Sequence, residues 1–266
     1  MFNPTTWETM LLGLLQGLTE FLPVSSSGHL VFAQRLLGIE EPGVALEVVL
    51  HLGTLLAVII YYRSDLVRLV GGVMRWIATR GGEGRSEAVY TGLLLLGTLP
   101  VVVAGFLLRS HIEEAFQYPR SAALCLLCTG VFMASSRWFR RGKAGVRPPS
   151  AILIGIFQAI ALLPGVSRSG STITSGLMLG VDAREAARFS FLLSIPAILG
   201  AMIVSLPELA GTVSTGGLGS LAAGFTMAAV SGYSAIAVLL RLLRKGDLAL
   251  FGVYCILVGG LGLFLF

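Results

Sequence analysis

Two short stretches of this chain carry side chains able to do chemistry on a phosphate. The first supplies a carboxylate, three hydroxyls and an imidazole: Glu20, Ser25, Ser26, Ser27 and His29. The second supplies one guanidinium among hydroxyls: Ser167, Arg168, Ser169, Ser171, Thr172 and Thr174. Arg168 offers a planar fork that grips phosphoryl oxygens in pairs. Glycine-rich turns leading into short helices present backbone N–H groups to an anion. A serine hydroxyl or the His29 imidazole could attack phosphorus, with Glu20 as the base or as the holder of a divalent cation.

The two stretches are copies of one another. Gly13 to Gly38 reads GLLQGLTEFLPVSSSGHLVFAQRLLG, and 142 positions later Gly155 to Gly180 reads GIFQAIALLPGVSRSGSTITSGLMLG. Gly13/Gly155, Gln16/Gln158, Val24/Val166, Ser25/Ser167, Ser27/Ser169, Gly28/Gly170, Leu37/Leu179 and Gly38/Gly180 are identical without a gap. Where the copies differ, they divide the work: Glu20 faces Leu162, Ser26 faces Arg168, and His29 faces Ser171. One copy holds acid, hydroxyl and imidazole, and the other holds the cation. Gln16 and Gln158 occupy equivalent positions and are read as caps or bridges between the copies.

The elements that must position these groups follow from composition. Hydrophobic residues make up 55% of the 266 residues and charged ones 12%. Mean hydropathy is +0.86, which excludes a soluble domain of this size. No basic n-region opens the chain, so no cleavable signal is expected. The formal charge of +5 is assigned to membrane orientation rather than to nucleic acid. Cys125, Cys128 and Cys255 lie in apolar runs without a second ligand pair, and are read as packing residues.

Each copy is an apolar run, a Pro/Ser/Gly break and a second short run. Neither arm reaches the roughly 20 residues of a bilayer span, so each copy is read as a re-entrant hairpin (8–38 and 150–180). Full spans are expected at 44–62, 88–108 and 120–139, and again at 186–206, 218–240 and 248–266. Between them lie a polar loop at 39–43, an interfacial helix within 63–87, a loop carrying His111, Glu113 and Glu114, a basic linker at 140–149, and loops at 211–219 and 241–247. The expected fold is an all-α polytopic membrane protein of two repeats (1–139 and 150–266), each a re-entrant hairpin plus three transmembrane helices. Three spans per half is odd, so the repeats have inverted topology. The arginine-rich loops mark the cytoplasmic face, which puts both termini and the mouth of the first hairpin outside. Glu47 and His51, four residues apart in the first span, are either partners of the site or a structural pair.

QGLTEFLPVSSSGH and PGVSRSGST resemble the two signature motifs of the bacterial undecaprenyl-diphosphate phosphatase family, known for bacitracin resistance. The resemblance covers essentially the whole chain. It implies an inner-membrane enzyme that converts undecaprenyl diphosphate, a polyprenyl lipid, into undecaprenyl phosphate, the carrier for peptidoglycan and other envelope polymers. It also implies a divalent cation (Mg or Ca), a site open to the periplasm, contact with bilayer lipids and a homodimer. By position, Gln16 and Glu20 match the family's acidic element, Ser26 its proposed nucleophile, His29 its histidine and Arg168 its phosphate-binding arginine. Ser25, Ser27, Ser167, Ser169 and Thr172 stand beside them, and with Gln16 they are the expected substrate- and phosphate-binding residues. Gln16 can be neither base nor anionic ligand, so Glu20 alone carries the acidic role, metal binding included. The rival expectation is a polyprenyl-phosphate flippase or secondary transporter, because such proteins also join broken helices at mid-membrane.

Overall fold

The computed structural model describes residues 5–38, 44–138, 142–209, 218–243 and 248–266. Among them the chain is all-helical apart from one isolated bridge, Ala144 to Val181. The loop expected at 39–43, and parts of those at 140–149, 211–219 and 241–247, lie outside the described residues; 218 and 219 of the third open α11.

The first copy forms α1 (Thr6–Phe21) and α2 (Ser26–Leu36). α1 starts at Thr5, whose hydroxyl accepts from the Glu8 N–H while Glu8 reaches back to the Thr5 N–H at 2.7 Å. Such a reciprocal cap satisfies two of the orphan donors of a helix start. Pro23 cannot continue α1, and Ser25 opens α2 by accepting the Gly28 N–H on its hydroxyl. The second copy forms α8 (Pro148–Ile160) and α9 (Arg168–Met178) in the same way. Prolines open α8, and the Ser167 hydroxyl caps α9 by accepting from the Gly170 N–H at 3.1 Å. The S-x-x-G pattern shared by the two copies is thus a helix-cap pattern.

Between the copies run α3 (Val44–Tyr61), α4 (Arg63–Ala78), α5 (Arg85–Leu107), α6 (Arg109–Phe116) and α7 (Pro119–Ala134). After the second copy come α10 (Ala183–Leu209), α11 (Leu218–Leu242) and α12 (Ala249–Leu265). Among the described residues four helical stretches are long and apolar enough to cross a membrane: Arg85–Leu107, Pro119–Trp138, Ala183–Ser205 and Leu218–Leu242. A fifth candidate is the pair α3 and α4, bent by 74° at Tyr62. α3 corresponds to the expected first span and α4 to the expected interfacial helix. α12 falls among the shorter apolar helices. The chain is therefore a polytopic membrane protein.

One expectation is corrected. The loop around His111 is helical: α6 covers Arg109–Phe116, and Arg109 Nε donates to Glu113 Oε1 at 2.6 Å one turn away, a pairing that adds modestly to the helix.

α1 lies against α11, α8 against α5, and α7 against α12. Small residues allow these approaches, as membrane packing requires in the absence of a hydrophobic drive between helices. A Cβ on Gly13 would strike the Gly224 carbonyl, and one on Gly155 would strike the Gly97 carbonyl. α3 and α10 pack on each other and close the centre. There Phe21, at the end of α1, meets Phe191 of α10 edge to face, with ring centroids 5.4 Å apart. At one end of α10, Arg188 pairs with Asp65 at 2.8 Å and with Glu185, and sits over the Tyr90 ring.

Candidate active site

The breaks of the two helix pairs touch. Ser27 Oγ accepts from the Gly165 N–H at 3.3 Å, and Ser169 Oγ donates to the Leu22 carbonyl at 3.2 Å. Each serine therefore crosses to the opposite break. Thr129 of α7 steadies the second break, donating to the Gly165 carbonyl and accepting from the Ser167 N–H.

This junction delivers Arg168 to Glu20. Arg168 Nη2 donates to Glu20 Oε1 at 2.5 Å, with the two side chains 15% and 7% exposed. The other carboxylate oxygen, Oε2, accepts from Ser26 Oγ at 2.6 Å and from Gln16 Nε2 at 3.1 Å. Arg168 is held from behind by the Ser190 carbonyl of α10, and Thr172 meets the Ser190 hydroxyl at 2.6 Å. His51 Nδ1 is 2.8 Å from the Glu47 carbonyl. A carbonyl only accepts, so Nδ1 carries a proton and Nε2 faces Glu20 Oε2 at 4.0 Å.

Ser25 and Ser167 cap helices, and Ser27 and Ser169 join the breaks. Ser26 alone among the serines of the first copy reaches the carboxylate. Ser25 does so much at a cost: its φ of 69° lies in the left-handed region that a serine rarely enters.

His29 lies apart from this cluster. Its Nδ1 is 2.8 Å from the Ser25 carbonyl, and its Nε2 is 2.8 Å from the Tyr254 hydroxyl on α12. The helical i to i−4 bond to Ser25 turns the ring toward α12, and His29 is not among the residues around the cavity described next.

Glu20, Ser26, Ser27 and Arg168 form the polar part of a cavity of about 340 Å³. Glu47 and His51 of α3 also line it. The remaining wall is mostly apolar, with Leu30, Leu162, Ile198, Ala201 and Met202. A cavity with charge in one part and aliphatic wall in the rest fits an amphipathic molecule with a phosphate head and a hydrocarbon tail.

Of the two readings of Glu47 and His51, the structure places both around the cavity, with His51 beside Glu20. Sequence reading passes over Ser190, Thr129 and Tyr254, which are ordinary residues of apolar helices until the helices pack.

A divalent cation can be tested against these donors. Among the described residues no three His, Cys, Asp or Glu side chains converge as a cage. Two carboxylates, Glu20 and Glu47, and the Ser26 hydroxyl do line one cavity. Hard oxygen donors of this kind suit Mg or Ca, which take one or two carboxylates and complete their shell with phosphate and water.

Comparison with known proteins agrees with the geometry. The family model "Bacitracin resistance protein BacA" matches residues 9–261. The chain belongs to this family. It is similar to the undecaprenyl-diphosphatase of Myxococcus xanthus, 44% identical over 255 residues that cover 95% of this chain and 86% of the relative. It is 43% identical over 268 residues to that of Desulfosudis oleivorans, covering 97% of both. The undecaprenyl-diphosphatase 1 of Shouchella clausii is 38% identical over 257 residues, covering 94% and 93%. Members of the bacitracin resistance family thus match this chain from its first helix to its last, so both serine-rich breaks lie inside the shared region.

Proposed function

We propose that this protein is a membrane phosphatase that hydrolyses undecaprenyl diphosphate to undecaprenyl phosphate and inorganic phosphate. It thereby regenerates the lipid carrier of envelope polymers and confers bacitracin resistance. The observation that carries the reading is the meeting of Glu20, Ser26 and Arg168 at the polar part of a cavity whose other walls are apolar. Membership of the family supports it independently.

In this reading the prenyl tail lies along the apolar wall and the diphosphate reaches Arg168. The guanidinium binds oxygens of the terminal phosphate and gathers the negative charge that develops on them. Ser26 Oγ attacks the terminal phosphorus while its proton passes to Glu20 Oε2, already its acceptor at 2.6 Å. The phosphoanhydride bond breaks, and undecaprenyl phosphate leaves with the electron pair. Glu20 passes that proton to the departing undecaprenyl phosphate and is a carboxylate again. Water then attacks the phosphoserine, Glu20 takes the water proton, and it returns a proton to Ser26 Oγ as the Oγ–P bond breaks and inorganic phosphate departs. A divalent cation held by Glu20 and Glu47 would neutralise charge on the diphosphate.

The architecture belongs to the same proposal. The two helix pairs are re-entrant hairpins of two inverted repeats (1–139 and 150–266). This is supported by the matched pairings of α1 on α11 and α8 on α5, each made through the repeat-equivalent glycines Gly13 and Gly155. The cavity draws on the first turns of α3 and on Ile112 and Phe116 of α6. Those elements lie away from the arginines of α4 and of the start of α10, so the positive-inside rule opens the site to the periplasm and puts both termini there. The protein works as a homodimer in the inner membrane.

The decisive experiment measures phosphate released from undecaprenyl diphosphate by the detergent-solubilised protein, with and without a chelator. Release that stops on chelation is expected. No release in detergent, together with movement of the prenyl phosphate across vesicles, would replace the enzyme with a flippase or transporter.

A further inference from the structure

One more polar side chain lines the cavity, and the proposed chemistry does not use it. Gln158 of α8 is 2% exposed and borders the same space as Glu20, Ser26 and Arg168. Neither its amide oxygen nor its amide nitrogen has a hydrogen-bond partner among the described residues. A glutamine amide offers two donors and an acceptor, and buried polar groups in folded proteins are almost always satisfied.

The repeat explains how the amide lost its partner. In the first copy, Gln16 Nε2 donates to Glu20 Oε2 at 3.1 Å, four residues on. In the second copy the residue four positions after Gln158 is Leu162, which accepts nothing. Gln158 therefore keeps its polar group beside a cavity without the carboxylate that occupies its counterpart. The charge balance nearby points the same way. Arg168 already commits one N–H of Nη2 to Glu20 and one of Nη1 to the Ser190 carbonyl, and a diphosphate carries more oxygens than its remaining donors can serve.

We propose that Gln158 is a substrate-binding residue whose amide N–H groups donate to phosphoryl oxygens of the diphosphate. The side chain has three rotatable bonds, and a turn about them brings the shielded amide into the cavity. A neutral donor at this place adds hydrogen bonds without a second cation beside Arg168. The inference rests on the phosphatase reading given above.

The test compares the full-length, detergent-solubilised wild type with Gln158→Leu and Gln158→Met, both apolar and close in volume. Phosphate release is measured against undecaprenyl diphosphate concentration, and thermal unfolding is followed on the same preparations. The expected result is a KM raised about 10-fold or more with kcat little changed, the mark of binding made equally in ground and transition states. The melting temperature should not fall, because the substitutions remove polar atoms that had no partner. A wild-type KM in both variants overturns the inference. So does a raised KM accompanied by a lowered melting temperature or failed folding in both variants, which would make the amide structural. The underlying reading fails separately, if the wild type itself releases no phosphate.

Discussion

Glu20 and Arg168 stand 148 positions apart in the chain and 2.5 Å apart in the fold. Neither helix pair makes this contact alone. The acid comes from the end of α1 and the guanidinium from the first residue of α9, so the site exists only where the two breaks meet. Removing one member of such a buried pair leaves the other uncompensated, and stability and activity must be read together at these positions.

Arg168→Lys keeps the charge and loses the two-pronged geometry. Phosphate release should fall on the order of 10²-fold or more, equivalent to about 3 kcal/mol of transition-state stabilisation. Near-normal turnover in a well-folded Arg168→Lys protein would reduce the arginine to a structural role.

Ser26 and Ser27 should separate cleanly. Ser26 donates to Glu20 Oε2, whereas Ser27 accepts from Gly165 across the junction. Ser26→Ala should nearly abolish phosphate release in a protein that still folds, with about 1.5–3 kcal/mol of stability lost with its hydrogen bond to the Glu20 carboxylate. Ser27→Ala should keep a measurable fraction of activity and lose about 1 kcal/mol of stability with its hydrogen bond. The opposite order of activities would move the nucleophile to Ser27.

The packing of the helix pairs makes a stability prediction. Gly13→Ala and Gly155→Ala force a methyl into a facing backbone carbonyl and should each cost about 1–3 kcal/mol by overpacking. Gly92→Ala in α5, where nothing lies within 4 Å of the added atom, should be neutral or stabilise by up to about 1 kcal/mol. Equal melting temperatures for all three variants would contradict the close approach.

Orientation is open to labelling. Single cysteines at Thr6 and Gly145, the latter with nothing within 4 Å of an added Cβ, in a background lacking the native ones, should react from outside and only from the cytoplasm respectively. Reaction of the Gly145 variant from outside in intact cells would reverse the topology.

Much of the site could be read from residue types alone, because it rests on local rules repeated twice. Ser25 and Ser167 cap the helices that follow them, and the half-specific pair Ser26 and Arg168 falls at the junction. What stayed hidden depends on helix packing. Ser190 and Thr129 sit in apolar runs, and only the rotation of α10 and α7 turns them toward Arg168 and Ser167. His29 illustrates the other limit. Three residues from Ser26 in sequence, it shares a helix but not a direction, and its ring goes to Tyr254. α6 is hard to read as a helix because its eight residues, Arg109–Phe116, are too few for a periodic pattern to stand out between two spans.

The glycine contacts bear on how a C55-type tail could travel. At Gly13 on Gly224 and Gly155 on Gly97 the backbones leave no room for a methyl group, and an isoprenoid chain is thicker than a methyl. Those two seams, α1 on α11 and α8 on α5, leave no room for lipid between their backbones at these glycines. Ala197, Ala201 and Met202 of α10 instead line the cavity itself, so on the proposed reading α10 is one of the walls the tail lies against.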